Sequence, residues 1–526
     1  MKYSVPPKLG TVDDLTKRFE AAKSVRARWD TVLMDCYKYA APKRDTLSGQ
    51  GKGQRRDPEI VDSTAELGVE QFATRLQAML VPPWMQWVKL VPGSDIPDQL
   101  KGRAQDYLDQ VSKKLFDHLN HSNFASQAHE AFTDLAVSTG AITLERSDGP
   151  TSLLGFNAVP LAELVPEEGP RGTLETIWRQ HEVVARNIKR LWPDADLSEK
   201  CKSLLADKPD TRVQIVEGTI YEPEAGLYYQ CCMEKEAKHL IYMREYKVSP
   251  WIVFRESVRP GEVLGRGRVM SVLADIKMLN AVQKWGIKSL ALQTAGVYTA
   301  ADDGVINPFS VKIEPGSIIA VGSNSSENPT LRPLPMAGNP QLQQYGVEEL
   351  KKSINRVLFA EPFGDMDAPV RTATEISMRN QEMMQQSGSA FARLQTEFIE
   401  KIVRRSIDIL MEEGEIQPLE INGKLVTIKH TSPLAKVQDQ EDLTSVRVLL
   451  EAAMAFGNHE LMAATLKMEN LLPWMATKLG VDSALVRSEE EIQQVAQATA
   501  ERNTRREDAE VAQMEPDIAP QQVEVM

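Results

Sequence analysis

The spacing of apolar positions predicts helices toward both ends of the chain and a strand-rich block between them. Val12, Leu15 and Phe19 open an amphipathic run that continues through Trp29, Val32, Leu33 and Tyr37 and stops at Pro42. A polar, glycine-rich segment, 47–56, follows. In the next helix Ser63 stands as candidate N-cap with Glu66 three residues on, and Leu67, Val69, Phe72, Leu76 and Leu80 form its apolar stripe. Pro82 and Pro83 end that helix. Trp84 and Trp87 then fall in an alternating, strand-like stretch, and a further amphipathic helix is expected over 99–119.

From 141 to 256 the texture changes to short β-prone runs, 213–221, 226–233 and 250–254, set apart by proline, glycine and charge. This block reads as α+β. Beyond Gly265, Val269, Val272, Leu273, Ile276, Leu279, Val282 and Ile287 recur at helical spacing as far as Ala295. Some 30 residues rising about 1.5 Å each give a rod of roughly 45 Å. The rod leads into a compact β-like insert, 297–321, broken at Asp302–Gly304 and Pro315-Gly316, and a second helix, 341–358, returns from it.

A loop with two prolines and a glycine, AEPFGDMDAPV, precedes the longest helix candidate, 372–413, whose apolar face is Phe391, Leu394, Phe398, Ile402 and Ile409. At roughly 60 Å it reads as a structural strut. A hairpin-like unit, 419–429, turns at Asn422-Gly423, and helices follow at 440–455 and 460–466. The last stretch, from Val486, carries 4 Arg against 10 Asp plus Glu and no aromatic residue, the pattern of a solvated helix and loose tail.

Composition places the chain among helix-rich folding proteins of several modules. It has 526 residues, 42% hydrophobic, 6% aromatic and 26% charged. No run of about 18 apolar residues free of charge occurs, so neither secretion nor membrane spanning is expected. Four cysteines, Cys36, Cys201, Cys231 and Cys232, lack zinc-clamp spacing. The net charge of −13 argues against a protein that grips nucleic acid over its whole surface; it is compatible with a conduit along which DNA must slide, but does not identify one.

Candidate chemistry is sparse. There is no P-loop; Gly49, Gly51 and Gly53 with Lys52, Arg55 and Arg56 follow a helix break and read as a flexible basic loop. His118 and His121 lie three apart without an evident third metal ligand, and His181-Glu182 and His459-Glu460 lack the second histidine of a zinc protease, Ala185 and Ala463 standing there. Asp365 and Asp367 offer a carboxylate pair to a metal-dependent nuclease, but acids in a turn are commonly turn formers. Trp84, Trp87, Trp178 and Trp251, without a basic surround, read as core or subunit-interface anchors. Lys277, Lys284 and Lys288 are a solvated face on a lone helix, and in a closed ring they become belts of positive charge around a pore.

The order of these segments resembles the wing, stem, clip, stem, tunnel loop, wing, crown and barrel of phage portals. Four stretches are similar to the portal, or head-to-tail connector, of short-tailed T7-like bacteriophages: CYKYAAP (36–42), STAELGVEQFATRLQAMLVPPWMQWVKL (63–90), GRGRVMSVLADIKMLN (265–280) and VRTATEISMRNQEM (370–383). The similarity runs through most of the chain to about Ser488.

The resemblance implies a mainly helical α+β portal fold that assembles into a ring. Its modules would be a wing (1–264), a stem helix (265–298), a clip (299–340), a second stem helix (341–360), a tunnel loop (361–371), a wing return with the strut (372–432), a crown (433–485) and an acidic C-terminal helix or tail (486–526). It further implies a dodecamer at one capsid vertex through which double-stranded DNA passes non-specifically. The other partners would be the terminase, then the tail adaptor, with scaffolding and major capsid proteins around the ring and no membrane.

The expected place is the virion, and the host cytoplasm during assembly. Neither enzyme activity, cofactor nor metal is expected. Lys277, Lys284, Lys288, Lys351, Lys352, Arg356 and Arg371 would face the channel. Glu361, Pro362, Phe363, Gly364, Asp365, Met366 and Asp367 would form the tunnel loop, and Asp302, Asp303, Lys312 and Glu314 would lie on the docking surface of the clip. Two rival readings remain: another head or tail assembly component, such as an adaptor or scaffold, and a metal-dependent DNA-processing enzyme.

Overall fold

The computed structural model describes residues 3–44, 47, 60–93, 96–295, 298–300, 331–333, 340–360, 390–417, 426–430, 443–452, 471 and 474–475. Helices α1 (Val12–Ala27), α2 (Asp30–Ala40) and α3 (Thr64–Leu80) are followed by strand β1 (Val88–Pro92), α4 (Asp98–His121) and α5 (Phe124–Val137). Strands β2 (Thr139–Arg146), β3 (Leu154–Ala158), β4 (Leu164–Glu167) and β5 (Thr176–Val184) come next, then α6 (Ala185–Leu191) and α7 (Glu199–Asp207). The block closes with β6 (Arg212–Glu222), β7 (Leu227–Glu234), β8 (His239–Tyr246) and β9 (Trp251–Arg255). After it stand α8 (Arg268–Ala295), β10 (Tyr298–Ala300), β11 (Leu331–Pro333), α9 (Pro340–Val357), α10 (Glu400–Glu412) and β12 (Val426–His430).

The chain divides into two compact units. Residues Met1–Trp84 and Lys113–Pro418 make the larger, and Met85–Ser112 with Leu419–Met526 make the smaller. In the larger unit β4 to β8 form an antiparallel meander of five strands, and β3-β2-β9 form a second, three-stranded sheet. The mixed helix-and-sheet class agrees with the sequence reading.

Each layer follows from its side chains. One face of the five-stranded sheet, through Val165, Trp178, Val216, Ile220, Cys231 and Met233, receives Leu15, Phe19 and Ala22 of α1. Burying one such side chain is worth about 2–3 kcal/mol. Gly218 leaves the space that the Trp178 ring fills, since a β-carbon there would stand 2.3 Å from it. The opposite face of the same sheet is covered by α6, α7 and the turn between them, through Ile188, Trp192 and Cys201 against Ile215, Cys232 and Ile241.

The three-stranded sheet shares a core with α2, α3, α8 and α9. A π-helical turn, Gln395–Ile399, precedes α10. It carries Phe398 into a cluster with Phe124, Phe132 and Phe254, and sets Glu397 on Arg255, whose Nη2 is 2.7 Å from its carboxylate.

Several expected details differ. Leu67, assigned to the apolar stripe of α3, is exposed. Ser63 makes no side-chain cap; the amide of Thr64 is instead received by Asp62 Oδ1 at 2.9 Å, and Glu66 pairs with Lys43. The capping box that does form, Thr11 with Asp14, opens α1. The first helical run breaks at residues 28–29 into α1 and α2.

Trp87, Trp178 and Trp251 are buried, whereas Trp84 is 72% exposed. In the smaller unit β12, the second half of the expected hairpin, pairs antiparallel with β1, from Val88 with His430 to Pro92 with Val426. No helix among the described residues is long and apolar enough to cross a membrane.

The long helix pair as candidate functional site

The candidate channel residues that fall within the described chain all lie on α8 and α9. The start of α8 is fixed by close backbone approach. A β-carbon on Gly267 would meet Ala136 O and the Val137 carbonyl carbon at 2.3 Å, and one on Gly265 would meet Ser138 O at 2.7 Å. Ser138 Oγ donates to Gly265 O at 2.6 Å, while the Gly265 amide donates to Thr139 Oγ1 at 2.9 Å. Only glycine lets the chain lie this close to the junction of α5 and β2.

One turn later Arg268 holds the two helices together. Its guanidinium pairs with buried Glu256, donates to Val357 O at 3.0 Å and sits 3.6 Å from the centre of the Phe359 ring. Burial pushes the Glu256 carboxyl up, against the pull of Arg268. Phe359 follows the end of α9 with φ of 53°, a conformation costing a non-glycine residue roughly 1–2 kcal/mol. Its surroundings supply that cost: the ring stacks on Phe72, and Arg75 donates to its carbonyl oxygen.

Further along, Val269, Val272, Ile276 and Leu279 of α8 are buried with Ile354 of α9 and Leu358 just past its end. Asn280 ties α8 to the segment before α3, accepting from the amides of Val61 and Asp62 at 3.0 and 3.2 Å. Ser353 Oγ donates to Asp275 Oδ2 at 3.1 Å across the helix pair. Asp62 collects Lys351 at 3.0 Å and Gln283 at 3.4 Å. Burial works against its charge, but hydrogen bonds from Thr64 and Lys351 outweigh it and hold the carboxyl below its ordinary range.

The seven expected channel cations therefore fall into distinct settings. Lys277 is paired with Asp35 at 2.6 Å and Lys351 with Asp62, so part of their charge is answered within the chain. Lys284 and Lys288 are exposed on the far half of α8 and make no ion pair among the described residues. Lys352 is exposed and reaches Glu349 at 3.8 Å, and Arg356 is exposed on the same helix. Arg371, the tunnel-loop residues 361–367 and the clip residues 302, 303, 312 and 314 lie outside the described residues.

The far half of the pair also exposes large apolar side chains, Met278, Trp285, Ile287 and Leu290 on α8 and Tyr345 on α9, which the reading of lysines alone had passed over. Their sequence signal was present: Met278 and Trp285 stand seven apart, off the buried stripe.

The basic loop 49–56, Asp365, Asp367 and His459-Glu460 lie outside the described residues. His118 Nδ1 accepts from the Leu153 amide, His121 Nδ1 lies 2.7 Å from Asp117 O, and no cluster of three or more metal-ligating groups occurs among the described residues. All four cysteines are free and buried.

Several known proteins are similar to this chain. A probable portal protein of Bordetella phage BPP-1 is 19% identical over 452 residues, spanning 81% of this chain and 79% of the relative. Among solved structures, the virion of a native gene transfer agent particle aligns over 83% of this chain and 92% of that one, at 12% identity and a TM-score of 0.34. The neck of an empty gene transfer agent particle aligns over 75% and 91%, at 12% identity and a TM-score of 0.30. The family model for the bacteriophage head to tail connecting protein matches residues 12–486. That match takes in both long helices and the sheets of the larger unit, and the chain accordingly belongs to the bacteriophage head-to-tail connecting protein family.

Proposed function

We propose that this chain is the portal subunit of a short-tailed, T7-like phage, and that copies of it close into a ring, a dodecamer, through which duplex DNA enters and leaves the capsid. Membership in the connector family gives it a structural role between head and tail, and a place in the virion. The observation that carries the finer reading is the helix pair itself. A 28-residue helix buries one stripe of its first half, Val269, Val272, Ile276 and Leu279, in the core, runs on with exposed side chains, and is matched by a helix that returns.

In this reading α8 and α9 are the stem, within the module boundaries that the resemblance implies. Lys284, Lys288, Lys352 and Arg356 lie on or beside the channel wall, with Arg371 beyond them. The 361–367 segment lines the tunnel, and Asp302, Asp303, Lys312 and Glu314 meet first the terminase and later the tail adaptor. Scaffolding and major capsid proteins surround the ring, which forms in the host cytoplasm. Duplex DNA presents one charge per about 1.7 Å, so a wall of mixed charge repeated around an axis offers no deep well in which it could stop. The ring guides and retains DNA; it catalyses no step.

Negative-stain electron microscopy with mass photometry tests this. Rings of about a dozen copies with an axial hole wide enough for a duplex are expected. A protein that stays monomeric at high concentration and cuts DNA with Mg²⁺ would overturn the reading in favour of an enzyme.

A further inference from the structure

We propose that the outer face of the helix pair is a stacking site for unpaired nucleotides, with Trp285 and Tyr345 receiving the bases that a DNA end exposes; the proposal rests on the channel reading above. Both aromatics are two-thirds exposed, at 66% and 65%. Trp285 stands about nine residues, two and a half turns, beyond buried Ile276, and Tyr345 the same distance before buried Ile354. Each therefore points away from the core that the two isoleucines share. The Arg268–Val357 and Ser353–Asp275 bonds set the antiparallel register of the helices. In that register Trp285 and Tyr345 fall within about 3–8 Å of one another along the rod, on helices whose axes are about 8–10 Å apart. They are neighbours on one solvent face.

The cations of this face fit the same ligand. Lys288 on α8, and Lys352 and Arg356 on α9, are exposed and lie within about 60° of the aromatic position on their own helix. A face that puts them on the channel wall puts Trp285 and Tyr345 there too. Over 277–291 and 344–357 the exposed charges are Lys284, Lys288, Lys352 and Arg356 against Glu348 and Glu349, a local excess of cations in a chain of net charge −13. Glu349 is 3.8 Å from Lys352, and Glu348 accepts from Gln344. A duplex keeps its bases stacked inside and offers the wall only phosphates, which lysines meet anywhere along its length. An unpaired end also offers base faces, and stacking one on an aromatic side chain is worth about 5- to 150-fold in affinity. The lysines alone do not tell the two apart; the aromatics do. Such a face lets a duplex slide and holds its end.

Fluorescence anisotropy on the full-length protein tests the site, with three labelled probes: a short oligothymidylate, a blunt duplex, and the same duplex carrying an unpaired thymidine extension. Mass photometry counts the subunits of every variant. The extended duplex and the oligothymidylate should bind at least about tenfold tighter than the blunt duplex. W285A/Y345A should bring the extended duplex down to the affinity of the blunt one, and W285F/Y345F, which keeps two aromatic faces, should retain most of the preference. K288A removes charge and no aromatic face, so it should weaken both duplexes by similar factors. Equal binding of blunt and extended duplexes, or a preference that survives W285A/Y345A, would overturn the stacking site and leave the ring reading standing. Assemblies that form in the wild type and fall apart in W285A/Y345A would make this face a contact between copies, and would overturn it as well. A wild-type protein that forms no rings would remove the channel reading and this site with it.

Discussion

At the scale of single residues, the larger unit holds charge where burial makes it costly. Glu217, in the middle of the five-stranded sheet, is buried beside His181, whose Nε2 is 3.2 Å from its carboxylate. Burial raises its pKa to about 7; Arg179 opposes the shift, while Glu145 and Glu163 add to it. A carboxyl whose folded pKa exceeds its unfolded value holds its proton better in the native state, so its stability contribution is complete below about pH 4.5 and is lost as pH rises through 7. Thermal unfolding should therefore show stability falling between pH 5 and 7.5. Glu217→Gln, which keeps the shape without the charge, should flatten that slope and stabilise the protein at pH 8 by about 2–3 kcal/mol. A slope unchanged in the variant would place its origin elsewhere. Arg405 is a contrasting case, also fully buried but answered by Asp408 at 2.5 Å and by Leu144 O.

At the scale of elements, glycine separates the two ends of the helix pair. Gly267→Ala would drive a methyl group into the backbone of Ala136 and Val137, where nothing flexible can yield, and should cost about 3 kcal/mol or more. Gly346, within α9, has open space around it, and Gly346→Ala should stabilise by about 0.5–1 kcal/mol. Denaturant titration of both variants checks the contrast, and equal effects would refute the account of the α8 start. The glycines of GRGR were visible in the sequence, but the carbonyl groups that demand them come from α5 and β2, far away in the chain. What was legible was periodic. The stripes of α1, α8 and α9 and the strands β6, β7 and β9 stand close to where apolar spacing put them. Ion pairing was not legible: Lys277 and Lys351 find Asp35 and Asp62 only because tertiary folding brings α2 and the start of α3 to the helix pair. The Ser63 cap did not form; Asp62, itself held by Lys351, receives the first helical amide, that of Thr64.

At the scale of the whole molecule, Asp and Glu outnumber Lys and Arg by 74 to 61, a net charge of −13 per copy. Lys288 is the outermost described lysine of α8. On the proposed ring, Lys288→Ala should weaken binding of a short duplex by several-fold at about 50 mM salt and make it less salt-dependent, with the subunit count unchanged. Fluorescence anisotropy at several salt concentrations reads both, and an unaltered salt slope would place Lys288 away from the lumen. The smaller unit adds a constraint of another kind. Its sheet joins β1 to β12, strands from distant parts of the chain. On a ribosome β1 emerges first and then waits roughly 20–60 s, at ordinary elongation rates, for its partner to be made. Throughout that interval its edge is open to any passing strand, and Lys89 and Pro92 are the residue types that blunt such an edge. The order of synthesis is thus written into β1 as a guard against the wrong neighbour.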